Sequence, residues 1–527
     1  MENGQETKEE KEKRLNDLAK RNIQPVKREY LIIEKEQVKK DVVVTKKEEV
    51  NTLKKTKEQN RKKRVWEEIS GGQSGSVPKG IANELNRFTA NMRDFHYETP
   101  KVWNEIDINE PLSRSKNFPH WWQEHDIPAA ELRERKLIDF SDKVYVAPLT
   151  TIGNLPWRRL LISLGADITC AEMSLASSLI DGANTEWAHL RRHPDEKIFG
   201  IQITAPKPYV SGRACEMIRD YCQVDFVDIN MGCPLDTVCN NGMGAFLPTK
   251  IKKAESIVKS CLAVLPCAVT CKIRTGWTND KRSAHTFVGF AQSWQVKGHS
   301  LNCVFIHGRS RNDRYSRLAD WDYINTVASL QDDYAAPLPI IGNGDILTYH
   351  DYEMSRKTAP NTCNCAMLGR GAIIKPWLPT EIKEKRNWDV SAPERLEFLK
   401  TFVRYGLEHW GADETGIART RRFLLEMLSF TCRYTPVGLL ERLPQRIHDR
   451  PPRYYGRSDL ETLLSSPAAT DWVKISNMLL GPAPSDFSFQ PKHASNSYAI
   501  PAAQSYSSSD ADAVASSSTK GPMRDWG

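Results

Sequence analysis

Hydrophobic and polar positions follow a regular pattern from about residue 140 to about residue 385. Short apolar runs rich in β-branched residues are separated by amphipathic stretches of helical length. Runs that are hydrophobic almost throughout are typical of strands buried on both faces, and their alternation with helices indicates a parallel sheet. The eight runs are 143–149, 166–172, 197–204, 224–230, 267–273, 302–307, 339–343 and 364–368. Eight such repeats predict an α/β fold of the (β/α)8 TIM-barrel type.

The chain on either side of this repeat has a different composition. The N-terminal part is rich in Lys and Glu with few aromatic residues, so it carries too little apolar surface to offset the entropy of folding. Residues 394–407 and 419–431 have longer helical periods, which indicate an all-α bundle after the barrel. We therefore predict a basic, largely disordered region 1–95, a lead-in segment 96–140, the barrel 141–388, a helical domain 389–493 and a disordered Ser/Ala-rich tail 494–527.

Polar or reactive side chains follow the predicted strands at the point where each strand ends. A helix cap accounts for any one such residue, but it accounts poorly for a whole set. The strand-end groups are Pro148-Leu149-Thr150, Glu172, Gln202, Asn230 with Cys233, Lys272 with Arg274, His307 with Arg309, Asn343-Gly344-Asp345 and Gly369-Arg370-Gly371. Because the carboxyl ends of all barrel strands open at one mouth, these groups predict a shared site.

Several of these strand ends carry groups suited to an anionic ring cofactor. The loops after strands seven and eight commonly bind phosphate in barrels, and Asn343-Gly344-Asp345 and Gly369-Arg370-Gly371 occupy those loops. Lys272 follows a buried run, so its ammonium group needs an anion, which a reduced flavin supplies. Gln202 offers donors and acceptors to the edge of such a ring. These positions favour a flavin as the ligand.

Cys233 differs from the other cysteines because it lies on a turn. It is part of Asn230-Met231-Gly232-Cys233-Pro234, directly after the fourth strand, and this position predicts an exposed, rigidly aimed thiol at the mouth. Such a thiol can transfer a proton or act as a nucleophile. The remaining cysteines are expected to be free thiols, most of them buried. No Cys-x-x-Cys pair occurs, so we expect no metal site.

Charge is unevenly distributed along a chain whose net charge is +8. Residues 1–64 hold 20 Lys/Arg against 13 Asp/Glu, and residues 418–457 hold 9 Arg against 3 acidic residues. Two basic segments on a near-neutral body predict a polyanionic partner. No apolar run approaches the roughly 18 residues of a membrane helix, and the N-terminus has no signal-peptide pattern. We therefore expect a soluble protein of the cytosol or the nucleus.

The strand-end motifs taken together resemble those of the tRNA-dihydrouridine synthases, and in particular the eukaryotic branch that modifies a variable-loop uridine. The resemblance extends over residues 141–493. It rests on Pro148-Leu149-Thr150, Asn230-Met231-Gly232-Cys233-Pro234, Lys272-Ile273-Arg274-Thr275-Gly276, His307-Gly308-Arg309-Ser310-Arg311 and Asn343-Gly344-Asp345, with Leu318-Ala319-Asp320-Trp321 and Glu408-His409-Trp410-Gly411 as further matches. It implies an FMN-binding barrel followed by a helical tRNA-binding domain.

The resemblance also implies a reaction. NADPH or NADH would reduce the flavin, hydride would pass from flavin N5 to C6 of a uridine in tRNA, and Cys233 would donate a proton to C5. The product would be 5,6-dihydrouridine, and mRNA is a second candidate substrate. The implied FMN-binding residues are Pro148, Leu149, Thr150, Gln202, Lys272, His307, Asn343, Gly344, Asp345, Gly369 and Arg370.

A uridine enters a barrel mouth only after it has been extruded from folded RNA, so phosphate-binding groups are needed nearby. Arginine suits this task because its guanidinium group forms paired hydrogen bonds with phosphate. The candidate substrate- or RNA-contacting residues are Asn230, Arg274, Arg309, Arg311, Arg314, Arg419, Arg421, Arg422, Arg433 and Arg446. We expect the protein to act as a monomer.

One feature departs from the family pattern. Relatives in this branch often carry zinc fingers upstream of the barrel, but no cysteine precedes Cys170 here. Either the basic segment 8–64 substitutes for such a module in RNA binding, or the chain is a shortened form.

Two other functions remain open from the sequence. An FMN barrel that acts on a free pyrimidine or a dihydroorotate-like molecule would have the same mouth, although the Arg-rich segment 418–457 disfavours it. An RNA-binding protein without catalytic activity would keep the barrel alone. The intact set of Cys233, Lys272, His307 and Asn343 speaks against that second alternative.

Overall fold

The computed structural model describes residues 6–32, 137–331 and 337–492. Eight parallel strands pair in chain order, and the first strand pairs with both the second and the eighth, which closes a barrel. The strands are β1 Tyr145–Val146, β2 Ile168–Cys170, β3 Ile198–Thr204, β4 Phe226–Met231, β5 Ala268–Arg274, β6 Cys303–His307, β7 Ile340–Asn343 and β8 Ala366–Leu368. The (β/α)8 prediction is confirmed: each strand lies within one of the eight predicted runs or extends one residue beyond it, although several runs are longer than their strands.

Helices surround this barrel and continue beyond it. The α-helices of the described residues are α1 Lys8–Lys20, α2 Leu155–Ser163, α3 Ala176–Ile180, α4 Asn184–His189, α5 Pro208–Tyr221, α6 Asp236–Cys239, α7 Ile251–Val264, α8 Ala284–Ala291, α9 Trp321–Ser329, α10 Tyr349–Thr358, α11 Arg370–Ile374, α12 Leu378–Glu384, α13 Ala392–Trp410, α14 Glu414–Thr431, α15 Asp459–Ser465 and α16 Ala469–Leu480. Short 3-10 turns (Arg28–Tyr30, Gly244–Thr249, Val437–Leu439) and short strands (Ser174–Leu175, Gly276–Thr278, Lys281–Arg282, Gln295–Val296, His299–Ser300) complete the description.

The barrel interior has an apolar lower part and a polar upper part. Tyr145 and Phe140 pack against Phe305 with ring centroids 5.1 and 5.5 Å apart. Side chains two residues apart on a strand point to the same face, so Phe226, Asp228 and Asn230 of β4 follow one another up the interior. The aromatic residues thus close the bottom of the barrel, and the polar residues face its carboxyl-end mouth.

The helical segment after the barrel packs on it directly. Helix α13 is capped by Ser391, whose hydroxyl accepts a hydrogen bond from the Glu394 N–H in a capping box, and Pro393 lies in its first turn. One apolar cluster includes Trp157 of α2 on the barrel and Phe402 of α13. The bundle therefore shares a core with the β1 side of the barrel.

Residues 6–32 differ from the expectation of disorder for region 1–95. Helix α1 is capped by Thr7, and bridges join Ile23 to Arg450 and Val26 to Leu440. The physical reason is tertiary: composition predicts that this segment cannot fold alone, but it folds against the helical domain. Residues 33–95, the lead-in segment up to residue 136 and the tail from residue 493 lie outside the described residues.

All twelve cysteines are free thiols. No helix within the three described ranges is both long enough and apolar enough to cross a membrane.

Candidate active site at the barrel mouth

A cavity of about 780 Å³ opens at the carboxyl ends of the strands. Cys233, Asn230, Arg274 and Arg309 line the cavity, together with every residue that the resemblance assigned to the cofactor. Those residues are Pro148, Leu149, Thr150, Gln202, Lys272, His307, Asn343, Gly344, Asp345, Gly369 and Arg370. The strand-end groups that are scattered along the sequence therefore form one site.

Cationic side chains that are largely removed from solvent dominate this cavity. Burial, and to a smaller extent the charge of Arg274, lowers the pKa of Lys272 to about 8. Burial lowers the pKa of Arg370 to about 10. Desolvated cations are favourable only near an opposite charge, so the cavity favours an anionic ligand. A ring with negative charge near Lys272 and a phosphate near Arg370 would meet this requirement, and the donor set therefore fits FMN.

His307, at the end of β6, is held as a neutral imidazole. Burial and the charges of Arg274 and Lys272 lower its pKa well below the ordinary value. Arg309 Nη1 lies 3.2 Å from His307 Nε2, and because a guanidinium group can only donate, Nε2 is the acceptor. The ring proton is therefore on Nδ1, which makes Nδ1 a hydrogen-bond donor.

A tight turn after β7 forms part of the cavity wall. Gly344 has a φ of +137°, and a Cβ there would lie 2.5 Å from the Cβ of Ala319, so only glycine fits. Arg309 Nη2 donates to both carboxylate oxygens of Asp345, at 2.5 and 2.7 Å. Burial raises the pKa of Asp345, but hydrogen bonds from His448 and Arg309 outweigh burial and hold it well below the ordinary value. Asp345 is thus an ionised group that orients its neighbours.

Cys233 lines the cavity but is not the exposed thiol that the turn predicts. The residue is only 3% exposed, because the chain after it folds back over the turn and Val238 and Met243 pack beside it. Burial raises the pKa of the Cys233 thiol, and the nearby charges of Arg274 and Lys272 only partly offset this. A raised pKa keeps the thiol protonated at neutral pH, which is the state that a proton donor requires.

Asn230 and Arg274 fix the turn that carries Cys233. Asn230 Oδ1 accepts hydrogen bonds from the backbone N–H groups of Gly232 and Cys233, at 3.1 and 2.9 Å. Arg274 Nε donates to the Gly232 carbonyl oxygen at 2.8 Å, and its Nη1 donates to the Ser310 carbonyl oxygen at 3.1 Å. The main contacts of both side chains are therefore with the protein around the mouth.

The other strand-end carboxylate, Glu172, lies behind the cavity. Its Oε2 accepts a hydrogen bond from the Thr151 N–H at 2.7 Å. Burial raises the pKa of Glu172 to about 7. This residue supports the loop after β1, next to the lining residue Thr150.

The arginines expected to contact RNA fall into two groups. Arg274, Arg309, Arg421 and Arg433 are buried and bonded internally. Arg421 donates to Ser476, Asn477 and the Gly481 carbonyl, and Arg433 donates to the Ile447 carbonyl. The accessible group consists of Arg311 and Arg314, which lie beside Asp236 at the rim, and of Arg419, Arg422 and Arg446 on the helical domain.

Sequence patterns did not single out several lining residues. Tyr315 is one of them, and the guanidinium group of Arg370 lies over its ring, 3.9 Å from the centroid. Ile447, which comes from the helical domain, is another. His448, next to Ile447, has its Nε2 3.1 Å from Arg309 Nη2. Tyr315 lies eight residues beyond the end of β6, and Ile447 lies far beyond the last strand, so neither has a strand-end signal. The Arg-Tyr-Ser-Arg context of Tyr315 was the one available hint.

A closed (β/α)8 barrel whose mouth combines desolvated cations with a buried thiol defines an α/β-barrel protein with a site suited to an anionic ligand. The family model described as dihydrouridine synthase (Dus) matches residues 145–429. The chain belongs to this family.

Individual relatives have related names. A protein of Oryza sativa subsp. japonica, named tRNA-dihydrouridine(47) synthase (NAD(P)(+))-like, is 48% identical over 426 residues, which cover 81% of this chain and 59% of the relative. A protein of the same name from Xenopus tropicalis is 51% identical over 365 residues, which cover 69% of this chain and 55% of the relative. The chain thus spans less than two thirds of the length of these relatives.

One match among solved structures is remote in sequence. Histamine dehydrogenase from Rhizobium sp. 4-9 aligns over 52% of this chain and 51% of its own, with a TM-score of 0.36 and 12% identity.

Proposed function

We propose that this chain is an FMN-dependent reductase that converts a uridine of tRNA to 5,6-dihydrouridine, with NADPH or NADH as the source of electrons. Membership of the dihydrouridine synthase family supports the reaction, and the names of the relatives support tRNA, position 47 and a nicotinamide. The observation that carries the proposal is one cavity lined both by cationic residues suited to FMN and by the buried thiol of Cys233.

The cofactor would lie across the strand ends from β5 to β8. Lys272 and the Nδ1–H of His307 would face its ring and side chain, and Arg370 would bind its phosphate. Asn343 Nδ2 already donates to the Met367 carbonyl oxygen at 2.7 Å, which leaves the Asn343 side-chain oxygen as an acceptor. When bound and reduced, FMN would supply the hydride that adds to C6 of the uracil ring.

Cys233 would supply the proton. Addition of hydride at C6 places negative charge on C5 and O4 of the ring, so an acid close to C5 lowers the barrier. Burial keeps the thiol protonated, and Asn230 and Arg274 hold its turn in place. Lys272 would then stabilise the thiolate that forms when the proton leaves.

The RNA would bind around the mouth through its phosphates. The accessible arginines Arg311, Arg314, Arg419, Arg422 and Arg446 are suited to this, whereas the buried ones maintain the structure. An extruded uridine in mRNA would fit the same mouth, so mRNA is a second proposed substrate. In this proposal the chain acts as a monomer in the cytosol or nucleus.

Turnover of two substrates tests this proposal. We expect the purified full-length chain to bind FMN, and to oxidise NADPH or NADH faster with unmodified tRNA than with free uracil. Free uracil turned over in preference to tRNA would instead identify a small-molecule oxidoreductase. Failure to retain any flavin, with tRNA binding intact, would identify a non-catalytic RNA-binding protein.

A further inference from the structure

We propose that Asp228, a buried carboxylate beneath the cavity, is a positioning residue that sets the orientation of the turn carrying Cys233. It does not line the cavity, and it acts through two amide side chains. The functional meaning rests on the proposed role of Cys233 as proton donor, whereas the structural claim about the turn is independent of it.

Asp228 belongs to one polar layer of the barrel interior. The strand register pairs Gln202 of β3 with Asp228 of β4, and Asp228 with Thr270 of β5. One layer higher, towards the mouth, Asn230 pairs in register with Lys272. The polar layer of Gln202, Asp228 and Thr270 therefore lies at the base of the cavity, and Gln202 is its one member that also lines the cavity.

A continuous series of hydrogen bonds connects this layer with the turn, and in each bond between Asp228 and the turn the group nearer the turn is the donor. The two oxygens of Asp228 accept hydrogen bonds from Thr270 Oγ1 at 2.8 Å and from Gln202 Nε2 at 2.7 Å. Gln202 Oε1 accepts from Asn230 Nδ2 at 2.8 Å. Asn230 Oδ1 then accepts from the Gly232 and Cys233 N–H groups.

The donor and acceptor ends of the Gln202 and Asn230 amides explain why this series of hydrogen bonds needs an acceptor at its base. An amide side chain has a donating end and an accepting end, so the orientation of Gln202 determines that of Asn230. A flipped Gln202 would turn its NH2 group towards the NH2 group of Asn230. The acceptor atoms of Asp228 hold the Gln202 NH2 group away from Asn230, and this leaves Asn230 Oδ1 free for the turn.

The location of Asp228 argues that it has a specific role. It is fully buried, two residues along β4 from the aromatic floor residue Phe226, where an apolar side chain would fill the space at no desolvation cost. The two groups that donate to it, Gln202 Nε2 and Thr270 Oγ1, lie inside the barrel, so the loss of Asp228 would leave both donors buried and unpaired.

The test measures how fast the thiol of Cys233 reacts in the full-length chain as purified. Iodoacetamide labelling is followed by mass spectrometry of the peptide that contains Cys233, with half-buried Cys222 as the internal control. Asp228→Leu removes both acceptors and keeps the branched shape of the side chain. Asp228→Asn keeps one acceptor for Gln202, while the Thr270 hydroxyl can accept from the new amide.

We expect Asp228→Leu to speed labelling of Cys233 at least about fivefold, the change in an opening equilibrium that one net hydrogen bond produces, with Cys222 unaffected. Asp228→Asn should restore labelling close to the wild-type rate. Gln202→Met breaks the same series of hydrogen bonds one step above Asp228, so Cys233 in this variant should be labelled as fast as in Asp228→Leu. It serves as the second variant if the Asp228→Leu protein does not fold.

Unchanged labelling of Cys233 in both Asp228→Leu and Gln202→Met would overturn the proposal. Equal effects of Asp228→Leu and Asp228→Asn would also overturn it, since charge rather than acceptor capacity would then be responsible. In turnover of tRNA, Asp228→Leu should lower kcat and leave KM unchanged. If the wild-type chain has no activity on tRNA, the proposed function fails, while the labelling result still decides the role of Asp228.

Discussion

The N-terminal segment 6–32 supports one wall of the active-site cavity, and Gln24→Ala tests this support. Gln24 is 1% exposed, and its Nε2 donates to the backbone oxygens of Arg433 and Asp449, at 3.0 and 3.5 Å. Its Oε1 accepts from the Thr435 hydroxyl. The segment 433–449 that these bonds hold contains Ile447, which lines the cavity.

The expected magnitude follows from the bonds that are lost. A buried hydrogen bond contributes about 1 kcal/mol net, and the bond at 3.5 Å is weak, so the three bonds of Gln24 together predict a loss of about 2 kcal/mol. A loss of this size raises the population of the locally open state by about 30-fold. Amide hydrogens of segment 433–449 should therefore exchange faster by up to that factor.

Hydrogen–deuterium exchange with mass spectrometry measures this directly. The matched control is Glu12→Ala, which changes an exposed residue of α1. Faster exchange in segment 433–449 for Gln24→Ala, with no change for Glu12→Ala, is the expected result. Equal exchange in the two variants would refute the inference that the N-terminal segment supports the cavity wall.

Three further predictions concern single side chains. Cys233→Ala should retain the visible absorption of bound flavin, as should the matched control Cys222→Ala, because the thiol is proposed to act on the substrate; loss of flavin in Cys233→Ala alone would contradict this. Arg421→Ala should lower the free energy of unfolding in urea by about 3 kcal/mol, because three internal hydrogen bonds are lost, whereas Arg422→Ala should weaken tRNA binding and leave stability within about 0.5 kcal/mol. A loss of stability in Arg422→Ala together with weaker tRNA binding by a stable Arg421→Ala would contradict the roles given to the two arginines. Burial raises the pKa of Glu172 from 4.5 to about 7, so folding favours its protonated form. The contribution of Glu172 to the free energy of unfolding is therefore largest below pH 4.5 and is lost as the pH rises through 7. Glu172→Gln should therefore gain stability relative to wild type between pH 5 and pH 8, and a difference that is constant with pH would refute the shift.

The barrel could be predicted from the sequence because its strands are buried on both faces. Every residue of β4 and of β6 is buried, and such strands appear in the sequence as short, continuous apolar runs. Most of the polar residues that line the cavity fall at or just after the carboxyl ends of these runs. A fold with one solvated sheet face would have given a weaker pattern.

The parts that could not be predicted depend on contacts between distant segments. The burial of Cys233 comes from the chain after its turn, and the burial of Arg421 comes from α16. An arginine that binds phosphate and one that binds a helix C-terminus have the same appearance in a sequence. Tyr315 and Ile447 reach the cavity through long loops, so no local periodicity marks them.

The central claim is that one cavity holds a flavin and the acid Cys233 on either side of an extruded uridine. The most direct measurement is dihydrouridine formation in an unmodified tRNA transcript with NADPH, mapped by mass spectrometry for the wild type and for Cys233→Ala. The account predicts dihydrouridine at a variable-loop position with the wild type, and a rate at least about 100-fold lower with Cys233→Ala. An undiminished rate in Cys233→Ala, or no dihydrouridine from a flavin-loaded wild type, would contradict it.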